Sequence, residues 1–152
     1  MKPRRASTSR QSGPVPLVRQ LAWFRYQLRQ FLRFSEKAAR LFGITPQQHQ
    51  LILGIAGYTG RGWATISELA EFLQERDNAV VGLVERVARR GLVHKEQSSG
   101  DRRFVRVRLT AKGEELLGKL THLHRDELVR VKARLLSAAD SRPRTLEQKE
   151  GT

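Results

Sequence analysis

Cysteine is absent from the sequence, and its absence excludes several kinds of chemistry at once. Without a thiol the chain forms no disulfide, no thiolate metal site and no thiol-based redox switch. Met1 is the one methionine, so little sulfur chemistry of any kind remains. The composition fits a reducing compartment.

Long apolar stretches are also missing. No run of about 18 apolar residues occurs, so no segment is predicted to cross a membrane. The basic N-terminus, MKPRRASTSRQSG, is not followed by the apolar core that a secretory signal needs. We therefore expect a cytoplasmic protein.

Acidic residues are scarce relative to basic ones. The chain has 15 Asp and Glu against 29 Lys and Arg, which gives a formal net charge of +14. Such an excess favours a polyanionic partner, either nucleic acid or an anionic membrane surface. The charge alone does not choose between them.

Catalytic constellations are missing as well. No Ser/His/Asp set and no glycine-rich phosphate motif is recognisable, and the carboxylates fall mostly at helix starts or on polar faces. His122 and His124 are two apart on a predicted helix and point to different sides, a poor metal pair. We predict no catalytic residues, no enzyme activity, no metal and no cofactor.

Hydrophobic periodicity begins after a basic tail. Residues 1–16 are rich in Ser, Pro and Gly, and we expect a disordered tail that is either inert or in contact with phosphates. Residues 17–140 are predicted to fold, and residues 141–152 form a polar tail. Over residues 17–42 the apolar positions cover about 180° of a helix, wider than one core contact needs. This helix is therefore predicted to pack against a second subunit.

Capping signals divide the middle of the chain into short helices. Thr45 and Thr65 each begin a capping box, which predicts helices from residue 46 to about 56 and from residue 66 to about 74. A loop is predicted over residues 57–62. After a break at residues 75–76 a helix runs over residues 77–90, with Asp77 as a candidate N-cap, and Gly91 ends it.

A β-hairpin and a last helix follow. Alternating β-branched residues on both sides of a Ser/Gly/Asp turn predict strands over residues 92–96 and 104–109. Thr110 is predicted to cap a helix that fades near residue 140. The predicted fold class is mainly α with a small β-hairpin wing (α+β), a winged helix-turn-helix flanked by N- and C-terminal dimerisation helices.

The helix over residues 77–90 has an outer face suited to reading base edges. An apolar stripe of four residues faces the core, and the opposite side offers groups that pair with adenine, guanine or the thymine methyl. The alternative is a merely solvated polar face, and the hairpin that follows favours the DNA-binding interpretation. The predicted contacts on this helix are Asn78, Ala79, Val81, Gly82, Arg86 and Arg89.

The tip of the hairpin supplies a second candidate contact. Asp101, Arg102 and Arg103 form a short, basic turn, and a narrow minor groove attracts an inserted arginine. Asp101 is suited to orient Arg103 through a charge-assisted hydrogen bond. Residues 76–108 hold nine Lys and Arg against four Asp and Glu, so the positive charge is concentrated near the predicted surface.

Several motifs together resemble the MarR family of bacterial regulators. They are Ile66-Ser67-Glu68-Leu69-Ala70, Val84-Glu85-Arg86 continuing to Arg90-Gly91-Leu92-Val93, and Asp101-Arg102-Arg103 leading to Leu109-Thr110-Ala111-Lys112-Gly113. The resemblance covers about residues 20–138, with the DNA-binding part at about 63–110. It implies a homodimer on a pseudo-palindromic site in double-stranded DNA, with Arg103 in the minor groove and residues 77–89 in the major groove. We expect no membrane partner.

The same resemblance implies a pocket for a small aromatic or anionic effector. The candidate lining residues are Trp23, Tyr26, His49 and Trp63, for each of which the alternative is plain packing. Gly82 departs from the family, in which many members carry a polar side chain at this position. A dimeric architectural protein of low sequence specificity, without an effector, therefore remains the alternative function.

Overall fold

The computed structural model describes residues 16–97, residue 100 and residues 104–138. Along the chain it places α1 at Pro16–Leu41, α2 at Pro46–Leu53, a π-helical turn at Gly54–Tyr58, β1 at Trp63–Ala64, α3 at Ile66–Leu73, α4 at Asp77–Arg89, β2 at Val93–Gln97, β3 at Val105–Leu109 and α5 at Ala111–Ala138. The predicted fold class, a mainly helical chain with a small β wing, is confirmed.

The wing is a three-stranded antiparallel sheet in the order β1-β3-β2. The hairpin was predicted, but the short strand β1 was not. It pairs Trp63 with Arg108 and Ala64 with Val107, while β2 pairs Val93 with Leu109 on the other side of β3. Two residues are too few for an alternating pattern, so only the pairing with β3 defines this strand.

Both predicted capping boxes are present. The hydroxyl of Thr45 accepts from the backbone N–H of Gln48, and that of Thr65 accepts from the backbone N–H of Glu68. The predicted end of the second helix was wrong, because the chain continues into the π-helical turn as far as Tyr58.

The start of this π-helical turn lies against α3 at a glycine. A Cβ on Gly54 would lie 2.6 Å from the ring of Phe72, so the absence of a side chain permits the close approach. The π-helical turn also includes residues 57 and 58, the first two residues of the predicted loop.

A tight turn joins α3 to α4. Gln74 ends α3 in the left-handed region at φ 54°, and its side-chain amide donates to the carbonyl of Glu71 at 2.7 Å. The candidate cap at Asp77 was wrong, because Arg76 occupies the N-cap position and Asp77 is the first helical residue. The Asp77 carboxylate instead accepts from the hydroxyl of Ser67 at 3.0 Å and ties the two helices together.

The helices α1 and α5 pack against each other and leave much apolar surface uncovered. Only Gln27, Ala38 and Ala39 of α1 are buried, and most of its large apolar side chains are exposed. Within the described residues, no helix is long and apolar enough to cross a membrane. The exposed large apolar residues of the two helices are Leu17, Val18, Leu21, Trp23, Phe24, Tyr26, Leu28, Leu32, Leu41, Leu123, Leu128, Val129 and Leu136.

Candidate nucleic-acid interface

The helix α4 is fixed by one apolar face and presents the opposite face to solvent. Val80, Leu83, Val84 and Val87 are buried in the core. Because these positions recur at a spacing of three and four, the residues between them point outwards. Every residue predicted to contact DNA on this helix is exposed except Gly82, which is half-buried; the exposed ones are Asn78, Ala79, Val81, Arg86 and Arg89.

Gly82 and Arg86 lie one helical turn apart on this outer face. A Cβ added to Gly82 would lie 3.4 Å from Nη1 of Arg86, so the guanidinium lies beside position 82 at van der Waals distance. The absence of a side chain at this position thus leaves the surface beside the guanidinium of Arg86 open. The sequence indicated only that a polar group was missing there.

The wing is tied to α4 by an ion pair. The ammonium of Lys95 on β2 donates to the carboxylate of Glu85 on α4. This hydrogen bond and the charge of Lys95 lower the pKa of Glu85, so the carboxylate stays ionised at neutral pH. The predicted tip residues Asp101, Arg102 and Arg103 lie outside the described residues.

The outward face of the sheet carries basic groups that the sequence reading missed. The guanidinium carbon of Arg61 lies 3.8 Å from the centroid of the Trp63 ring, and that of Arg106 lies 4.6 Å from it. On the same face Arg108 donates to Glu96 at 2.9 Å. Arg106 and Arg108 are two residues apart in β3 and so lie on one face, opposite the buried Val107. This alternation in the sequence could have indicated the basic face.

The predicted effector residues lie in three different settings. Trp23 and Tyr26 stack on each other on α1 with ring centroids 5.5 Å apart, and both are exposed. His49 is buried beside His124 at a centroid distance of 5.1 Å, and this burial, with the nearby His124, lowers the pKa of His49 to about 4. Trp63 lies on the sheet between two arginines.

Two cavities lie elsewhere. One of about 250 Å³ borders α2, α3 and α4 and includes Gln47, Glu75 and Arg86 in its lining. The other, of about 350 Å³, lies between the end of α1, the end of α4 and the start of α5. Neither of these two cavities is lined by any of the four predicted effector residues.

The last motif of the sequence, Leu-Thr-x-x-Gly, joins the wing to α5. The hydroxyl of Thr110 donates to the carbonyl of Gly91 at 2.6 Å and accepts from the backbone N–H of Gly113 at 3.1 Å. The backbone N–H of Thr110 donates to the carbonyl of Leu92 at 3.0 Å. This residue therefore caps α5 as predicted and also fixes the helix to the chain that follows α4.

The arrangement of a helix-turn-helix followed by a β wing defines a winged helix-turn-helix protein. Residues 42–103 match the sequence model of the MarR family, which confirms the resemblance carried by the motifs. The match ends inside the wing and covers the helix-turn-helix completely. Among curated proteins, no sequence matches this chain significantly.

Solved structures have the same fold. The apo form of wild-type MarR from E. coli aligns with a TM-score of 0.65 at 20% identity, over 86% of this chain and 100% of that one. A MarR family protein from Bacillus stearothermophilus gives 0.66 at 23% identity, over 76% and 78%. A mutant of MepR from S. aureus, bound to an oligodeoxyribonucleotide, gives 0.60 at 20% identity, over 74% and 80%. The fold and the family match together support a DNA-binding transcription regulator.

Proposed function

We propose that the chain is a sequence-specific transcription regulator that binds double-stranded DNA as a homodimer and is released by a small effector. The observation that carries the proposal is the outer face of α4, where exposed amide and guanidinium groups stand opposite a buried apolar stripe. A helix of this kind fits the width of the major groove.

Base reading is assigned to three side chains along this face. The amide of Asn78 suits bidentate pairing with adenine, the guanidinium of Arg86 suits guanine, and Val81 suits a thymine methyl. Arg89 lies in the last turn of the same exposed face. The exposed ion pair of Glu85 with Lys95 joins α4 to β2, so the wing and the helix lie side by side.

The wing is assigned to the minor groove. The strands β2 and β3 pair antiparallel, and Asp101, Arg102 and Arg103 lie between them in the sequence; the family resemblance gives Arg103 this contact. The MepR structure with a bound oligodeoxyribonucleotide has the same fold, which supports DNA as the partner. A second MepR structure is also similar to this chain, and its protein is described as a transcription regulator of the multidrug efflux pump MepA.

A second copy of the chain is the proposed partner of the exposed apolar side chains of α1 and α5. Leu17 is 70% exposed, Phe24 49% and Leu128 57%, which is more apolar surface than a monomer helix pair usually leaves in water. A homodimer that buries this surface would place two copies of α4 about 34 Å apart, one helical turn of DNA.

The test is selection of bound DNA from a random pool. A motif with two related half-sites, one helical turn apart, would support the proposal. Exchange of Asn78 or Arg86 for alanine should then relax the preference at one base per half-site, at a cost of about 1–3 kcal/mol for each lost bidentate contact. A pool without any enriched motif would overturn sequence-specific regulation.

The alternative function is an architectural protein of low sequence specificity. The observation that supports it is Gly82, which offers no side chain to a base edge. Competition with random DNA at rising salt separates the two functions, because nonspecific binding consists almost entirely of phosphate contacts. An architectural protein would lose affinity for every sequence to the same degree. A regulator would keep a preference for its selected motif.

A further inference from the structure

The face of α1 that points away from α5 is strongly basic. At about 100° per residue, all the cations of this helix fall within an arc of about 120°, and each of them is exposed. The centre of the arc lies opposite Gln27, which is buried, and Phe31, whose ring packs against His124 of α5. The basic stripe consists of Arg19, Arg25, Arg29, Arg33, Lys37 and Arg40.

The basic stripe has almost no opposing charge. Glu36 is the single carboxylate of α1, and within the described residues no ion pair includes a side chain of this helix. The cations of α5, in contrast, share their helix with four carboxylates. Two of them form ion pairs, Lys119 with Glu115 and Arg130 with Glu127. Like charges one turn apart destabilise a helix, so a partner of opposite charge would relieve a repulsion within α1.

The basic stripe lies far from the surface that we assign to the first duplex. Nη1 of Arg134 donates to the side-chain oxygen of Gln30 at 3.4 Å, so the middle of α1 lies beside the last turns of α5. Arg134 is about 34 Å along α5 from Ala111, where this helix leaves the wing, at about 1.5 Å per residue. Arg29 and Arg33, which flank Gln30 in the sequence, are therefore remote from the DNA held by α4 and the wing.

The length and the chemistry of the basic stripe fit the backbone of a DNA duplex. From Arg25 to Arg40 the helix rises about 22 Å, a length over which duplex DNA carries roughly 13 phosphate charges. A wholly acidic peptide, extended at about 3.3 Å per residue, carries only about seven charges over the same length. All cations of the stripe except Lys37 are arginines, whose planar guanidinium can donate two parallel hydrogen bonds to one phosphate.

An anionic membrane fits the basic stripe less well than DNA does. A helix that lies on a membrane buries large apolar side chains between the headgroups and the acyl chains. Between Arg25 and Arg40, Tyr26 is the one large apolar or aromatic side chain within the arc of the stripe. Phe24 and Leu28 lie beside the arc, in the surface assigned to the second copy of the chain. The stripe therefore offers charge without an apolar anchor of its own.

We infer that the basic stripe binds the phosphate backbone of a second DNA duplex, so that one protein holds two duplexes together. The first duplex lies on α4 and the wing, and the second lies on α1. Because the second contact is with phosphates, it is independent of base sequence and weakens steeply with salt. The inference rests on the proposed function for the first duplex only, whereas DNA binding by the stripe does not depend on it.

The test is capture of a second duplex by the full chain. A duplex with the motif selected from the random pool is fixed to beads, saturated with protein and washed, and a fluorescent duplex of random sequence is then added. The wild type should retain the fluorescent duplex, and its retention should fall as the salt concentration rises. Because the fixed duplex already occupies α4 and the wing, retention reports the second contact.

Two pairs of exchanges with the same change of charge separate the basic stripe from the remaining surface. Arg29→Gln with Arg33→Gln should weaken retention about tenfold and lower the salt slope by about two, one for each lost phosphate contact. Arg125→Gln with Lys132→Gln removes two exposed cations from α5 and should change retention less than about twofold. Glu36→Gln removes the carboxylate of α1 and should strengthen retention.

The fold and the assembly of each variant are checked by circular dichroism and light scattering. If the exchanges at Arg29 and Arg33 disturb either of them, Arg25→Gln with Lys37→Gln takes their place in the stripe. Polyglutamate and phosphatidylserine vesicles, each at the same charge concentration as the random duplex, serve as competitors. Neither should displace the fluorescent duplex as well as unlabelled random duplex does.

Four outcomes overturn the inference. They are no retention by the wild type, equal loss from the exchanges on α1 and on α5, better displacement by polyglutamate or vesicles than by DNA, and weaker binding of the fixed duplex itself by the α1 variant. The last outcome would place the stripe on the same duplex as α4. If the wild type selects no motif, the proposed function fails, and the affinities of the two variant pairs for random duplex in solution still decide whether the stripe binds DNA.

Discussion

Gly113 lies directly against the backbone of Leu92 and holds the start of α5 on the wing. A Cβ at position 113 would overlap the carbonyl oxygen of Leu92 and lie 3.0 Å from its carbon. The atoms it would meet belong to the backbone, which cannot rotate away as a side chain can. The glycine of the Leu-Thr-x-x-Gly motif is therefore required by close packing.

Gly113→Ala should destabilise the fold by about 3 kcal/mol, the upper part of the usual range for overpacking. The matched control is Gly118→Ala in the same helix, where a Cβ would meet nothing within 4 Å. The control should stabilise the protein by up to about 1 kcal/mol through helix propensity. Thermal unfolding of both variants checks the prediction, and equal effects of the two exchanges would contradict it.

Gly82→Ala should raise stability and change base preference together. Alanine gains about 1 kcal/mol of helix propensity over glycine in α4. Its Cβ would lie in van der Waals contact with Nη1 of Arg86, 3.4 Å away, on the outer face of the helix. We expect a higher melting temperature and, because the added methyl group occupies surface beside the guanidinium, a changed preference at the base pair assigned to Arg86, measured by selection from a random pool; an unchanged motif would show that Gly82 does not influence base reading.

Phe24→Gln should convert the proposed homodimer into a monomer or weaken it at least tenfold. Phe24 is 49% exposed within one chain and lies on α1 among the apolar residues assigned to the second copy. Leu53→Gln is the control, because Leu53 is 42% exposed but lies at the end of α2. Light scattering at micromolar concentration measures both, and a wild-type monomer under these conditions would overturn the dimer itself.

Acid should destabilise the protein through His49. Burial lowers the pKa of His49 in the folded chain from 6.5 to about 4, so the folded state disfavours the proton that the unfolded chain binds. The contribution is present above pH 6.5 and is lost as the pH falls towards 4. His49→Gln should therefore unfold with a flatter pH dependence between pH 6.5 and 5, a window above the range where the carboxylates protonate. Identical pH profiles of the two proteins would contradict this origin.

The sequence by itself determined the order of the five α-helices and of the hairpin strands β2 and β3. Capping boxes, the glycine after α4 and the alternation of the hairpin act through neighbours in the chain, so they are readable without a structure. The buried stripe of α4 is likewise set by helical periodicity, and with it the outward direction of Asn78 and Arg86. The motif around Thr110 and Gly113 could be recognised in the sequence. The close packing against Leu92 that requires Gly113 could not.

Tertiary structure decided what depends on contacts between distant segments. The strand β1 exists because Trp63 and Ala64 pair with β3, more than 40 residues further along the chain. Trp63 was a candidate effector residue, but its ring packs against the guanidinium groups of Arg61 and Arg106. His49, another candidate, packs against His124. The hydrogen bond from Arg90 to Gln48 joins residues 42 positions apart, and no local pattern encodes such a pairing. Caps and periodicity are set by short-range sterics and hydrogen bonds. Cavities and hydrogen bonds between distant segments arise only when helices from different parts of the chain meet.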